Sequence, residues 1–216
     1  MILGSLERRA LQWLVQRLPS WVSSDLLTIV GLVGSLVTAL GYALCIFNHN
    51  FLWLASAGLV LNWYGDSLDG TLARASHKER PRYGYFLDHS LDVLGGFFIA
   101  VGIGLSPYVR FDVALLALAG YLLMSVSVHV RTHSTGIFWM SYGGIGTTEI
   151  RLIIILANAL VYFVGNPAIQ TPVAMVKVYD LIAIVVALSL FAVFIVVTVK
   201  VALALRRQDD QEMAAP

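Results

Sequence analysis

Residues 51–106 read FLWLASAGLVLNWYGDSLDGTLARASHKERPRYGYFLDHSLDVLGGFFIAVGIGLS. Two apolar segments flank a charged loop, and four aspartates, Asp66, Asp69, Asp88 and Asp92, lie inside the apolar parts. A carboxylate at the centre of a bilayer costs roughly 2.5–3.5 kcal/mol on insertion scales. Four of them in one short stretch need a compensating charge, and the simplest is a bound cation.

The surrounding composition supports the membrane reading. Of 216 residues, 58% are hydrophobic and only 12% charged, whereas soluble domains carry about 25% charged residues. A second, soluble domain is not expected, nor a nucleic-acid partner. The single cysteine, Cys45, excludes an intrachain disulfide and a cysteine metal cluster. At the N-terminus, Glu7, Arg8 and Arg9 interrupt any signal-peptide core. Leu3, Leu6, Ala10, Trp13, Leu14 and Leu18 recur at helical spacing opposite Glu7, Arg9, Gln12 and Gln16. That pattern predicts an amphipathic interfacial helix, ended by Pro19.

A spanning helix needs about 20 mostly apolar residues. The expected fold is an all-α integral membrane protein with six transmembrane helices, over 25–47, 51–74, 83–106, 110–131, 147–165 and 174–204. The expected organisation is an interfacial helix over 1–19, a six-helix catalytic domain over 20–205 and a polar, mobile tail over 206–216. Asn48-His49-Asn50, Ser106-Pro107, and Gly165, Asn166, Pro167 and Pro172 mark the uncharged turns. The other connections are basic: Arg74, His77, Lys78, Arg80 and Arg82 in one, Arg131 and His133 in another, with Arg8, Arg9, Arg17, Arg206 and Arg207 at the two ends. The positive-inside rule then puts both termini in the cytoplasm, in agreement with an even span count. Gly31 and Gly34 suggest close helix packing and a homodimer. Trp13, Trp21, Trp53, Trp63 and Trp139 read as interface anchors or lipid-facing residues, and Asn158 as an interhelical hydrogen bonder.

Helical spacing organises the aspartates. Asp66 and Asp69 (i,i+3) share a face of the second span, and Asp88 and Asp92 (i,i+4) share a face of the third. The short loop makes these helices antiparallel neighbours. At 1.5 Å per residue Asp66 lies about 12 Å below Arg74, and Asp88 about 9 Å below Arg82. The four carboxylates therefore converge at similar depth in the cytoplasmic half. Hard divalent cations with oxygen ligands relieve their repulsion, and four aspartates suffice for two such ions. Gly70 and Ala73 keep the approach free of bulk, Gly84 opens the face one turn before Asp88, and Arg74 offers a fork-shaped donor for phosphate.

The pattern D-x2-D-G-x2-A-R-x9-G-x3-D-x3-D, formed by Asp66, Asp69, Gly70, Ala73, Arg74, Gly84, Asp88 and Asp92, resembles the signature of the CDP-alcohol phosphotransferase family of membrane enzymes. The resemblance implies that Asp66, Asp69, Asp88 and Asp92 hold two divalent cations, Mg²⁺ or Mn²⁺. It implies that Asp66, Gly70, Ala73, Arg74 and Gly84 hold the CDP moiety. Asp92 would be the general base that takes a proton from the acceptor alcohol. The implied reaction transfers a substituted phosphate from a CDP-alcohol, CDP-diacylglycerol in the commonest version, to an acceptor hydroxyl, with release of CMP for phospholipid synthesis.

Ser24-Asp25-Leu26-Leu27-Thr28 opens the first span. It reads as a helix cap by Ser24 or Asp25, and it resembles the family's first-helix opening without its proline; Asp25 or Thr28 would then touch substrate. Arg131, with His129 and His133, reads as a solvated cuff or an anion contact. Glu149 and Arg151 read as a salt-bridged helix start or as acceptor recognition, through a short likeness to the choline/ethanolamine phosphotransferase branch. The alternatives are that branch, with CDP-choline or CDP-ethanolamine and a lipid acceptor, and, from another class, a divalent-metal transporter. A transporter predicts broken helices or inverted repeats, which this sequence lacks, and a scaffold leaves the aspartates unexplained. The sparse basic charge near Arg131 disfavours a strongly anionic acceptor. The expected location is the bacterial inner membrane, with the active site facing the cytoplasm.

Overall fold

The computed structural model describes residues 4–136, 146–170 and 175–214. Leu3, Trp139 and Pro172 lie outside them. The order is α1 (Gly4–Val15), α2 (Ser24–Leu44), α3 (Phe51–Ala75), α4 (Pro81–Leu105), α5 (Phe111–Thr135), α6 (Thr147–Val164), a hairpin of β1 (Ala168–Gln170) and β2 (Met175–Lys177), and α7 (Val178–Ala214). The chain is a multi-pass integral membrane protein.

The expectation of six spans is corrected. Five helices among the described residues, α2, α4, α5, α6 and α7, are long and apolar enough to cross a membrane. The exception is α3, which has 25 residues, as many as α4. Its apolar run is broken by Asn62, Asp66, Asp69 and Arg74, which lower its hydropathy while its length stays sufficient. The helix that carries Asp66 and Asp69 is thus the one that drops out of the apolar class, and it is shielded instead by its neighbours. Leu52, Ala55, Gly58, Leu59, Asn62, Gly65, Leu68 and Asp69 are all buried. The topological argument from an even count falls with the sixth span.

A second expectation is also corrected. α3 and α4 are joined by a short loop, with His77 in the left-handed region at φ 53°, yet they touch only slightly. α2 packs extensively against both. Small residues explain why. A Cβ on Gly34 would lie 2.3 Å from the Asn62 amide nitrogen, and one on Gly65 would lie 2.2 Å from that of Gly31. On the other side, a Cβ on Gly102 would lie 2.4 Å from the Ala39 Cα, and one on Gly95 2.7 Å from the Ser35 hydroxyl. Backbones approach this closely only where side chains are missing. Gly31 and Gly34 therefore seat α2 on α3 within one chain, and the close packing read from them is spent there rather than between protomers.

Polar ties lock the bundle. Tyr42 donates to Asn158 Oδ1 at 2.8 Å, and Asn158 Nδ2 donates to the Ser56 hydroxyl at 3.0 Å, which links α2, α6 and α3 through buried groups. Asn158 is the interhelical bonder that the sequence suggested. Tyr42→Phe removes the donor to Asn158 Oδ1 and should destabilise the bundle by about 1–3 kcal/mol. The check is thermal unfolding in detergent, where an unchanged melting temperature would contradict the role of this network.

α1 is amphipathic as expected, but it ends at Val15, and Gln16–Leu18 form tight turns before Pro19. Glu7 ties it down: its carboxylate accepts from Trp63 Nε1 at 3.1 Å on α3 and from the Thr148 hydroxyl on α6. Trp63 is thereby a half-buried polar tie packed against Leu11, Leu27 and Leu68, whereas Trp13, Trp21 and Trp53 are exposed. The last helix starts at Val178 rather than at residue 174, because Met175–Lys177 pair with Ala168–Gln170. It continues through the charged segment to Ala214, with Arg206 and Asp210 3.9 Å apart one turn from each other.

Candidate active site

The expected cap of α2 moves by one residue. Ser23 is the cap, accepting from the Leu26 amide at 3.2 Å. This frees Ser24 and Thr28 to face α3. The Ser24 hydroxyl donates to the Asp69 carbonyl at 3.0 Å, and the buried Thr28 hydroxyl donates to Asp69 Oδ2 at 2.7 Å. The start of α2 is thus stapled to the second aspartate, and Asp69, at 5% exposure, is as buried as a core residue.

Asp66 lies one turn earlier on α3. Its Oδ2 accepts from Arg151 Nη2 at 2.6 Å, and Arg151 Nε donates to Asn62 Oδ1 at 2.7 Å. Asn62 is fixed in turn by donating to the Gly31 carbonyl at 2.9 Å and the Ser35 hydroxyl at 3.0 Å. α4 brings the second pair. Asp66 and Asp92 line one void, Asp88 lies one turn from Asp92 and Asp69 one turn from Asp66, so the two pairs come together with α2 packed against both helices that bear them. Thr28, Gly31, Asn62, Asp66, Leu91 and Asp92 line one small void at this junction.

Metal-ligand geometry is most compact on α4. Asp88, His89 and Asp92 offer ligand atoms that all lie within 4.8 Å of one another. His89 Nδ1 is 3.3 Å from Asp88 Oδ2, and its ring lies 4.2 Å from that of Tyr85 and 5.5 Å from that of His129. Tyr85 and His129 are hydrogen-bonded at 3.0 Å. Hard carboxylate oxygens with one imidazole suit a divalent cation, so the residues present fit a metal.

The nucleotide candidates sit at the rim. Arg74 is exposed, its guanidinium folded over Gly70, where a Cβ would lie 3.3 Å from Nη1. Its Nη2 also reaches the Thr71 hydroxyl at 3.4 Å. Ala73 is half-buried beside it. Gly84 has open space in front of it, since a Cβ there would meet nothing within 4 Å. The acceptor candidates separate. Thr28 and Arg151 join the aspartates. Asp25 pairs with Arg80 and lies 3.5 Å from the Tyr83 hydroxyl, away from the motif carboxylates. Glu149 accepts from the Gly146 amide at 2.9 Å, closing the start of α6. Arg131 is half-buried near the end of α5. Arg151 therefore pairs with Asp66 and Asn62, where the sequence suggested a salt bridge at its own helix start or an acceptor contact.

Sequence reading passed over Asn62, His89 and Tyr121. Asn62 was detectable as a polar residue four before Asp66 in an apolar helix, and His89 lies inside the motif itself. Tyr121, whose hydroxyl is 3.4 Å from the Asp92 carbonyl, left no signal, because its place depends on Gly96 letting its ring cross α4: a Cβ there would lie 2.6 Å from it. Beside the site, an apolar groove of about 360 Å³ opens between α1, α3 and α6, lined by Leu6, Ala10, Leu59, Trp63, Leu152 and Ile155 among others, with Arg151 on its wall.

Residues 21–206 match the model of a family described as CDP-alcohol phosphatidyltransferase. A cholinephosphotransferase 1 of Danio rerio is 28% identical over 165 residues, which cover 71% of this chain and 41% of that protein. Archaetidylinositol phosphate synthases of Pyrococcus horikoshii and Methanothermobacter thermautotrophicus are each 33% identical, over 63% and 67% of this chain respectively and 69% of each of those proteins. The chain thus spans about two fifths of the length of the zebrafish relative.

Proposed function

Because the chain belongs to the CDP-alcohol phosphatidyltransferase family, we propose that it transfers a substituted phosphate from a CDP-alcohol to an acceptor hydroxyl and releases CMP. The observation that carries this reading is that Asp66 of α3 and Asp92 of α4 line one void beside Thr28 of α2, with Asp69 bonded to Thr28 and Asp88 one turn from Asp92. Asp66, Asp69, Asp88 and Asp92 would hold two divalent cations, Mg²⁺ or Mn²⁺. Such ions, when bound, neutralise charge on the diphosphate and on the leaving phosphate. Thr28 and Ser24 fix Asp69 for that task. Gly70, Ala73, Arg74 and Gly84 border the space where the cytidine diphosphate would lie, with Asp66 beneath it.

Asp92 takes the proton from the acceptor hydroxyl. The acceptor oxygen then bonds to the phosphorus distal to cytidine, the bond from that phosphorus to the bridging oxygen breaks, and CMP leaves with the electron pair. Arg131 and Glu149 remain the candidates for the acceptor side, with Thr28 beside the donor site and Asp25 paired with Arg80 in the basic loop. The basic loop of Lys78, Arg80 and Arg82 supports an orientation with the site facing the cytoplasm.

The groove beside Arg151 suits an acyl chain, which favours a lipid-linked donor such as CDP-diacylglycerol with a polar acceptor. A second reading, a CDP-choline or CDP-ethanolamine donor with a lipid acceptor, is favoured by the likeness to cholinephosphotransferases. The test offers purified protein both donor classes with a panel of polar and lipid acceptors, with Mg²⁺, Mn²⁺ or chelator, and identifies the product by mass spectrometry. CMP release with a CDP-lipid and a polar alcohol, dependent on the cation, is expected. Release from CDP-choline with diacylglycerol alone selects the second reading. Metal uptake into vesicles without CMP release would overturn both.

A further inference from the structure

Arg151 meets the aspartate site in a way that the reaction above does not use. Its Nε is held by Asn62, which is itself fixed by Gly31 and Ser35. Its Nη2 sits on Asp66 Oδ2 at 2.6 Å, and the two side chains are only 12% and 15% exposed. Its Nη1 is buried and has no hydrogen-bond partner among the described residues. The fork is therefore half-used: one edge is fixed, one nitrogen is paired, and one is left over in a position where an unmet donor is costly. A guanidinium chosen only to neutralise Asp66 permanently would find a second acceptor for that nitrogen.

We propose that Arg151 is an exchangeable internal counter-ion: it neutralises Asp66 before cations bind, yields Oδ2 when a divalent cation is held there, and turns its freed Nη groups to the diphosphate of the donor. This rests on the metal-dependent reading above. The reason is electrostatic. Carboxylates gathered between packed helices repel one another in a poorly screened environment, so a resident cation helps the site form. A divalent cation on Oδ2 would stand close to the guanidinium, and like charges at that range repel, so the two compete for that oxygen. The Nε–Asn62 bond survives the exchange and acts as the pivot. The guanidinium then carries two nitrogens, each with two N–H groups, in the fork geometry that suits phosphate oxygens. Cation binding and donor binding become linked through one side chain.

The test measures Mn²⁺ binding to the full chain in detergent by electron paramagnetic resonance, without nucleotide, for wild type, Arg151→Gln and Arg151→Lys. Removing the competing charge should tighten Mn²⁺ binding about tenfold or more in Arg151→Gln, while Arg151→Lys, which keeps the charge, should stay near wild type. CDP binding in the presence of Mg²⁺ should weaken in Arg151→Gln by a similar factor. A purely structural ion pair predicts the reverse for the metal, since its loss would loosen the site. Unchanged or weaker Mn²⁺ binding in folded Arg151→Gln overturns the proposal. A second measurement uses the wild type, so folding of the variant does not decide the matter. In protein labelled with ¹⁵N-arginine, the Arg151 Nε–H resonance, identified by its loss in Arg151→Lys, should shift when Mg²⁺ is added; a resonance that stays put overturns the exchange. Wild type that binds no Mn²⁺ at all removes the metal-dependent reading itself, a failure distinct from Mn²⁺ binding that leaves Arg151 unmoved.

Discussion

Asp92→Asn should lower CMP release by about a thousandfold, within the 10²–10⁴ range of a lost general base, and Asp66→Asn should do the same for a different reason. Asp92 shares a void with Asp66 of α3 and lies one turn after Asp88 on its own helix, where a carboxylate can both receive a proton and contribute a hard oxygen. The amide keeps the shape and the hydrogen-bonding reach but accepts no proton, so rate should fall with little change in folding. Asp66 is the carboxylate bound by Arg151. Its replacement removes a negative ligand and leaves Arg151 without its ion-pair partner, so Mn²⁺ affinity should fall along with the rate, and thermal stability should fall as well. Measured together, rate, Mn²⁺ affinity and melting temperature separate the two roles. Full activity in either variant would contradict the assignment of the aspartates to the chemistry.

These four residues were legible because a membrane sequence makes charge conspicuous. Helical spacing alone paired Asp66 with Asp69 and Asp88 with Asp92, and one member of each pair, Asp66 and Asp92, lines a common void. How they meet was not legible. A short loop suggested direct α3–α4 packing, yet α2 intervenes, because Gly34 and Gly65 on one side and Gly95 and Gly102 on the other allow nearer approach. Loop length limits how far apart helix ends can be; it does not decide which helix faces fit. Thr28 was on the page as a substrate candidate, but its bond to Asp69 depends on the depth at which α2 crosses α3. Arg151 reads from the sequence either as part of a salt-bridged helix start beside Glu149 or as an acceptor contact. Its actual partners, Asn62 and Asp66, are 89 and 85 residues away.

The span count shows the same limit from the other side. α3 was read as a span because its length and overall apolarity suffice, yet Asn62, Asp66, Asp69 and Arg74 set it apart from the five apolar helices. A helix surrounded by protein does not need a lipid-facing composition, and a window along one segment cannot know what surrounds it. The β1–β2 pairing was likewise hidden: three residues a side carry no periodicity, and nothing local marks Ile169 as the partner of Val176.

Gly65→Leu should be the most damaging single change to the fold, and Gly84→Ala the control that shows why. A Cβ on Gly65 would fall 2.2 Å from the Gly31 nitrogen and 2.4 Å from the Leu27 carbonyl. These are backbone atoms, which no rotamer can move aside. The larger side chain must therefore push α2 off α3, at a point between the Thr28–Asp69 and Asn62–Gly31 bonds. Overpacking in a tight core costs typically 1–3 kcal/mol and occasionally more, and here the displacement would also break buried hydrogen bonds, so the total should lie at or above the top of that range. The variant should express poorly, melt at a much lower temperature and lose Mn²⁺ binding together with activity. Gly84 belongs to the same motif, but a Cβ there would meet nothing within 4 Å. Gly84→Ala should leave the melting temperature near wild type and raise the donor concentration needed for half-maximal rate, because the added methyl group enters the space assigned to the nucleotide. Equal thermal destabilisation by both substitutions would contradict this division, in which Gly65 serves helix packing and Gly84 serves access.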